Sequence, residues 1–81
     1  MRSYTYEVTL IGPSLPDLKQ CGRALELTQV GSTDGLRTQV LIGTMSHTGN
    51  GRSAAIAIGE IIETVEPSTP VTYSVRRSPG S

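Results

Sequence analysis

From Ala54 to Val65 apolar residues recur at helical spacing: Ala54, Ile58, Ile61 and Val65 in one series, Ala55, Ile58, Ile62 and Val65 in another. Side chains three and four apart share one side of a helix, so this stretch predicts a helix with a wide apolar face. Glu60, Glu63 and Glu66 fall on the other side, where they stay solvated. Ala55 and Gly59 are small and four apart, which lets another part of the chain approach closely. Glycine costs about 1 kcal/mol against alanine inside a helix, so Gly59 calls for a packing reason. Pro67 ends the helix, because the residue before a proline is pushed out of the helical region.

Elsewhere the period is two. Tyr4, Tyr6, Val8 and Leu10 alternate with Thr5, Glu7 and Thr9, which predicts a half-buried strand closed by Gly12-Pro13. Leu36, Thr38, Val40, Ile42 and Thr44 alternate with Arg37, Gln39, Leu41, Gly43 and Met45. That run is apolar on both sides near Val40–Ile42, the mark of a central strand. Gly31-Ser32-Thr33-Asp34-Gly35 reads as the hairpin turn leading into it, since Asp-Gly supplies the positive φ such turns need. Val71, Tyr73 and Val75 make a last short strand, followed by a polar tail from Arg76 to Ser81. The domain is read as residues 1–77, with 78–81 frayed.

Residues 15–30 admit two readings. Ser14 can cap a helix whose first turn holds Pro16 and Asp17, with Leu15, Leu18, Cys21 and Leu25 along one side. Gly22 interrupts it, which favours a short helix over 15–22 and a strand over 23–30. The alternative is one longer helix through Leu27, giving β-α-β-α-β.

The favoured order, β-α-β-β-α-β, is similar to the ferredoxin-like pattern: an α+β fold with a small antiparallel sheet of four strands and both helices on one face. The resemblance is one of element order and carries no activity with it. With the first and third strands read as parallel central neighbours, Gly12–Ser14 and His47–Ser53 meet at one edge, along with both helix N-termini. Arg2, Arg76 and Arg77 then gather at the opposite edge. The helix-free face carries Thr5, Glu7, Thr9, Arg37, Gln39, Thr72 and Ser74, and the three tyrosines point inward with hydroxyls at the rim. A sheet that reads RNA by stacking needs exposed aromatics, so this arrangement speaks against one.

Composition narrows the rest. Eighty-one residues without Trp or Phe build a thin core, and oligomerisation is a common remedy, so a homodimer or higher homo-oligomer is expected. Seven basic and seven acidic residues give no net charge, which argues against general nucleic-acid binding and leaves room for a local patch. Cys21 has no partner for an internal disulfide and suits a reducing compartment. The start of the chain lacks the apolar core of a signal peptide, and no apolar run approaches the roughly 20 residues of a membrane span. A cytoplasmic protein with no membrane association is expected.

No spacing of His, Cys, Asp and Glu predicts a metal site, and no cofactor or catalytic residue is assigned. Asp17 and Asp34 are read as capping and turn residues. The chemical lead is the glycine-rich entry to the long helix. Gly49 and Gly51 permit positive φ, Asn50 or Ser53 can cap the first N–H groups, and Arg52 with His47 could hold an anion there. The run has neither the P-loop lysine nor the dinucleotide spacing. Two function classes follow. One is a non-enzymatic interaction module that self-associates and engages a partner protein, the form a mobile-element accessory or inhibitor protein could take. The other binds a phosphate-bearing ligand or nucleic-acid backbone at His47, Asn50, Gly51, Arg52 and Ser53, with Arg2, Arg76 and Arg77 as a second basic patch.

Overall fold

Alternation in the first strand and the helical period after Asn50 both reappear in a computed structural model, which describes residues 3–34 and 37–78. The elements run β1 (Tyr4–Gly12), α1 (Leu15–Ala24), β2 (Thr28–Asp34), β3 (Gln39–His47), α2 (Gly51–Val65) and β4 (Thr72–Arg77). The order is the expected β-α-β-β-α-β. The four strands form one antiparallel sheet in the order β2-β3-β1-β4, so β3 is central, as its two-sided apolar character predicts.

The orientation of the central pair departs from expectation. β1 and β3 are antiparallel, with Tyr4 opposite His47 and Gly12 opposite Gln39. The β2–β3 hairpin reverses the chain, so the strand parallel to β1 is β2, with β3 between them. Gly12–Ser14 and His47–Ser53 therefore sit at opposite ends of the sheet, and the two helix N-termini do not meet.

One face is covered. Val8 and Leu10 of β1 and Leu41 of β3 pack against Leu18, Cys21 and Leu25 of the first helical segment and Ile58 and Ile62 of α2. α1 lies on β1 and β3, and α2 on β4 and α1. Ala54, Ile58 and Ile62 are the buried positions of α2, while Glu60, Glu63 and Glu66 are exposed. The packing reason for Gly59 is Tyr73: a Cβ there would stand 2.6 Å from the tyrosine hydroxyl.

α1 does not stop at Gly22. Gly22 is buried where the helix lies on the sheet, and a Cβ at that position would come within 3.3 Å of Leu41. The helix crosses it and ends at Ala24, where Leu27 N–H donates to Gly22 C=O and Glu26 N–H to Arg23 C=O. This is a Schellman closure, with Glu26 in the left-handed position at φ 56° where glycine is usual. Leu25 completes the apolar side of α1, and β2 begins at Thr28, so neither the strand from 23 nor the helix through Leu27 forms.

The hairpin also shifts. Gly31 to Asp34 belong to β2 instead of turning, and the reversal falls on 35–38, since Asp34 pairs with Gln39. Gly35 and Leu36, half of that turn, lie outside the described residues. Arg37 precedes β3, and Gln39 pairs with Gly12 on the helix side, so neither joins the free face. Arg76 and Arg77, expected in the tail, extend β4. Arg76 Nε bonds Glu7 Oε1 at 2.9 Å, and Ser78 N–H donates to Thr5 C=O, so the ladder runs on past Val75.

Asp17 does more than favour a helix start. Ser14 stands at the N-cap of α1 without a side-chain cap bond. Asp17, only 8% exposed, accepts from Ser68 Oγ–H, from Thr69 N–H at 3.1 Å and from Thr69 Oγ1–H. It ties the start of α1 to the loop between α2 and β4. The Thr69 hydroxyl bond leads in holding its pKa below the ordinary carboxylate value, against the opposing effect of burial.

A carboxylate with a depressed folded-state pKa stabilises the fold above its unfolded pKa, near 3.8, and loses that contribution as pH falls through the lower folded value. Asp17→Ala is therefore expected to lower Tm at neutral pH. The gap between wild type and variant should narrow below pH 3.8, as read by thermal denaturation across pH.

Candidate functional site

His47 ends β3 and α2 starts four residues later, so the residues between them must turn within a few ångströms of the sheet. Asn50 takes the N-cap with extended torsions, and its Oδ1 accepts from Ser53 N–H at 2.8 Å. That is the expected cap, with Asn50 in the role and Ser53 as its donor. Ser53 has a second partner: its Oγ lies 3.0 Å from His47 Nε2. The His47 ring meets Tyr6 edge-on, with centroids 6.2 Å apart, and Tyr6 O–H donates to Gly49 C=O at 2.6 Å. His47 is thus half-buried and engaged instead of free in solvent.

Gly49 serves space here and not torsion. Neither Gly49 nor Gly51 adopts positive φ; the described left-handed residues outside glycine are Glu26 and Glu66, each closing a helix. At Gly49 a Cβ would stand 2.6 Å from Ser53 Oγ, 2.8 Å from Ser53 Cβ and 2.9 Å from His47 Nε2. Any side chain would push the His47–Ser53 pair apart.

The strand register moves the second basic patch. Tyr6 pairs with Arg77 and Tyr4 with His47, so β4 ends at the same end of the sheet as the α2 entry. Arg77 lies over the Tyr4 ring, its guanidinium carbon 3.9 Å from the centroid, and Arg76 is held by Glu7 on the other face. Arg2 lies outside the described residues. Arg52 is exposed on the first turn of α2. The two candidate patches, expected at opposite edges, share one end.

A serine hydroxyl at 3.0 Å from a histidine nitrogen has the geometry of a nucleophile and its base. Such a pair also needs a group that orients the base and donors for a developing oxyanion. Ser53 N–H is already given to Asn50, and the ring contact of His47 is with Tyr6, which leaves the imidazole without a carboxylate to orient it among the described contacts. The N–H groups of Gly51 and Arg52 lie in the first turn of α2, at the positive end of the helix dipole. Cys21 lies in the core, where burial first and the Asp17 charge second push its thiol pKa up. Among the described residues no three His, Cys, Asp or Glu side chains group as metal ligands. No helix among them is long and apolar enough to cross a membrane.

Sequence reasoning read the helix-free face as polar and missed the apolar residues on it. Ile11, Val40 and Ile42 point there, with Ile11 opposite Val40 and Thr9 opposite Ile42. Ile11 is 38% and Ile42 41% exposed. The signal was Leu41: one central position must face the helices, which turns Val40 and Ile42 outward.

No family model matches the chain, and no curated protein does. It is similar to the crystal structure of an unknown protein from Galdieria sulphuraria, at 15% identity and a TM-score of 0.68. The match covers 99% of this chain and 47% of that one, so the chain spans about half of its neighbour's length. At this identity the likeness shows the α+β fold.

Gly49→Ala should displace the His47–Ser53 pair. Overpacking of this kind costs roughly 1–3 kcal/mol, to be read from urea denaturation with the His47 ring resonances as a local reporter.

Proposed function

We propose that the protein is a non-enzymatic interaction module that pairs with a second copy of itself through the helix-free face of its sheet and engages a partner protein. The observation that carries this reading is the apolar strip of Ile11, Val40 and Ile42 on a face no helix covers. Threonines and serines surround it: Thr9, Thr72 and Ser74 on one side, Thr33 and Thr44 on the other. Such a surface is neutral and self-complementary, so a two-fold stack brings isoleucine to isoleucine without unpaired charge. In plan the face measures roughly 500 Å² from strand spacing and rise. Side-chain relief brings it toward the ~800 Å² per partner of a standard interface. The small core gives such pairing something to add to stability. A compact module of this form would suit an inhibitor or a mobile-element accessory protein, acting in the cytoplasm.

Ile42→Glu places a charge in the middle of the strip. Light scattering during size-exclusion chromatography should report a dimer for wild type and a monomer for the variant, with unchanged far-UV circular dichroism. A wild-type monomer at 100 µM, a concentration about tenfold above a Kd of 10 µM or ~7 kcal/mol, would defeat the reading.

A second reading rests on the register that puts Arg77 and the α2 entry at one end of the sheet. There a phosphate-bearing ligand or nucleic-acid backbone would sit on the N–H groups of Gly51 and Arg52, with the Arg52 guanidinium closing over it. Titration with inorganic pyrophosphate should then shift the Gly51 and Arg52 amide resonances, and Arg52→Ala should weaken the binding at least tenfold while leaving fold and oligomer intact. Equal affinity in the variant would remove this reading.

A further inference from the structure

On the covered side of the sheet the two helices lie mainly over β1, β3 and β4. α1 lies over β1 and β3, and between it and β2 runs an open groove of about 480 Å³. Leu27 and Leu41 floor it, Gly31 and Ser32 of β2 form one wall, and Lys19 and Arg23 of α1 stand on the other. Gly22 lets α1 sit low on Leu41, which deepens the groove beside it.

Three features point to one kind of occupant. β2 is an edge strand, so no further strand closes the groove on its outer side. Gly31 pairs with Ile42, so its Cβ direction is the helix-free face and it sends no side chain into the groove. Lys19 and Arg23 are four apart on one side of α1, both exposed and, among the described residues, without an ion-pair or hydrogen-bond partner. A groove with an apolar floor and cations along one wall accepts an extended segment whose two sides differ, one apolar and one acidic.

We propose that the groove takes an extended segment of the partner protein, lying along the helix side of β2, with apolar residues down on Leu27 and Leu41 and the alternate residues, acidic, up toward the Lys19 and Arg23 side chains. This names the partner's chemistry and rests on the interaction-module reading, but it uses the opposite face from the self-association strip. The two can therefore fail separately.

The test is an array of immobilised eight-residue peptides alternating Val, Ile or Leu with Glu or Asp, beside matched arrays carrying Gln or Lys at the acidic positions. The protein is the full chain, as wild type, as Lys19→Glu/Arg23→Glu, and as Ile42→Glu. The proposal expects wild type to prefer acidic over neutral peptides at least tenfold, the double variant to prefer the lysine array, and Ile42→Glu to behave as wild type whatever its oligomeric state. Thermal melts confirm that the double variant is folded. A missing acidic preference, or one unchanged by charge reversal, overturns the proposal. So does tighter binding of a 20-nucleotide single-stranded DNA that the same reversal abolishes, which would make Lys19 and Arg23 a nucleic-acid contact.

Discussion

β1 is the strand on which everything else is hung. Its nine residues pair on one side with the full length of β3 and on the other with β4, both antiparallel. A central strand bonded on both edges has its register fixed twice, and a slip of one residue would turn Val8 and Leu10 out of the core. That double constraint sets which end of the sheet receives each loop. Tyr4 beside His47 and Tyr6 beside Arg77 follow from it, and so does the gathering of the α2 entry and the arginines at one end.

With so small a core, the chain relies on close approaches and polar ties. Gly22 brings α1 down onto Leu41, Gly59 leaves room for Tyr73, and Gly49 admits the His47–Ser53 contact. Asp17 joins the first turn of α1 to the loop that returns from α2, linking two segments about fifty residues apart in sequence, as its bonds to Ser68 and Thr69 show. The left-handed ends of both helices carry glutamates, Glu26 and Glu66, positions where the helix closures tolerate strain of about 1–2 kcal/mol that glycine would avoid.

The sheet is covered on one side only, and this asymmetry organises the functional readings. Its free face bears isoleucines among threonines, suited to a like surface. The covered face leaves β2 beyond the reach of α1, with two cations above an apolar floor. A two-layer fold of this kind has one layer boundary to satisfy internally and two surfaces left for others.

The element order was legible because each periodicity is local. Alternation from Tyr4 to Leu10, the i, i+4 series through Ala54, Ile58 and Ile62, and the Asn50 cap each depend on neighbours a few residues away. Strand direction, the end of α1 and the place of the hairpin were not legible. Gly22 reads as a helix breaker until Leu41 is known to lie against it, and Gly31–Asp34 read as a turn until β3 is there to pair with them. The same holds for the candidate sites. The capped entry to α2 could be named from Asn50 to Ser53. That Arg77 shares its end, that Ile42 faces outward and that Asp17 is a buried tie are consequences of cross-strand and loop-to-helix contacts between residues distant in sequence. Hydrophobic period chooses the elements, and long-range pairing chooses which of their faces meet.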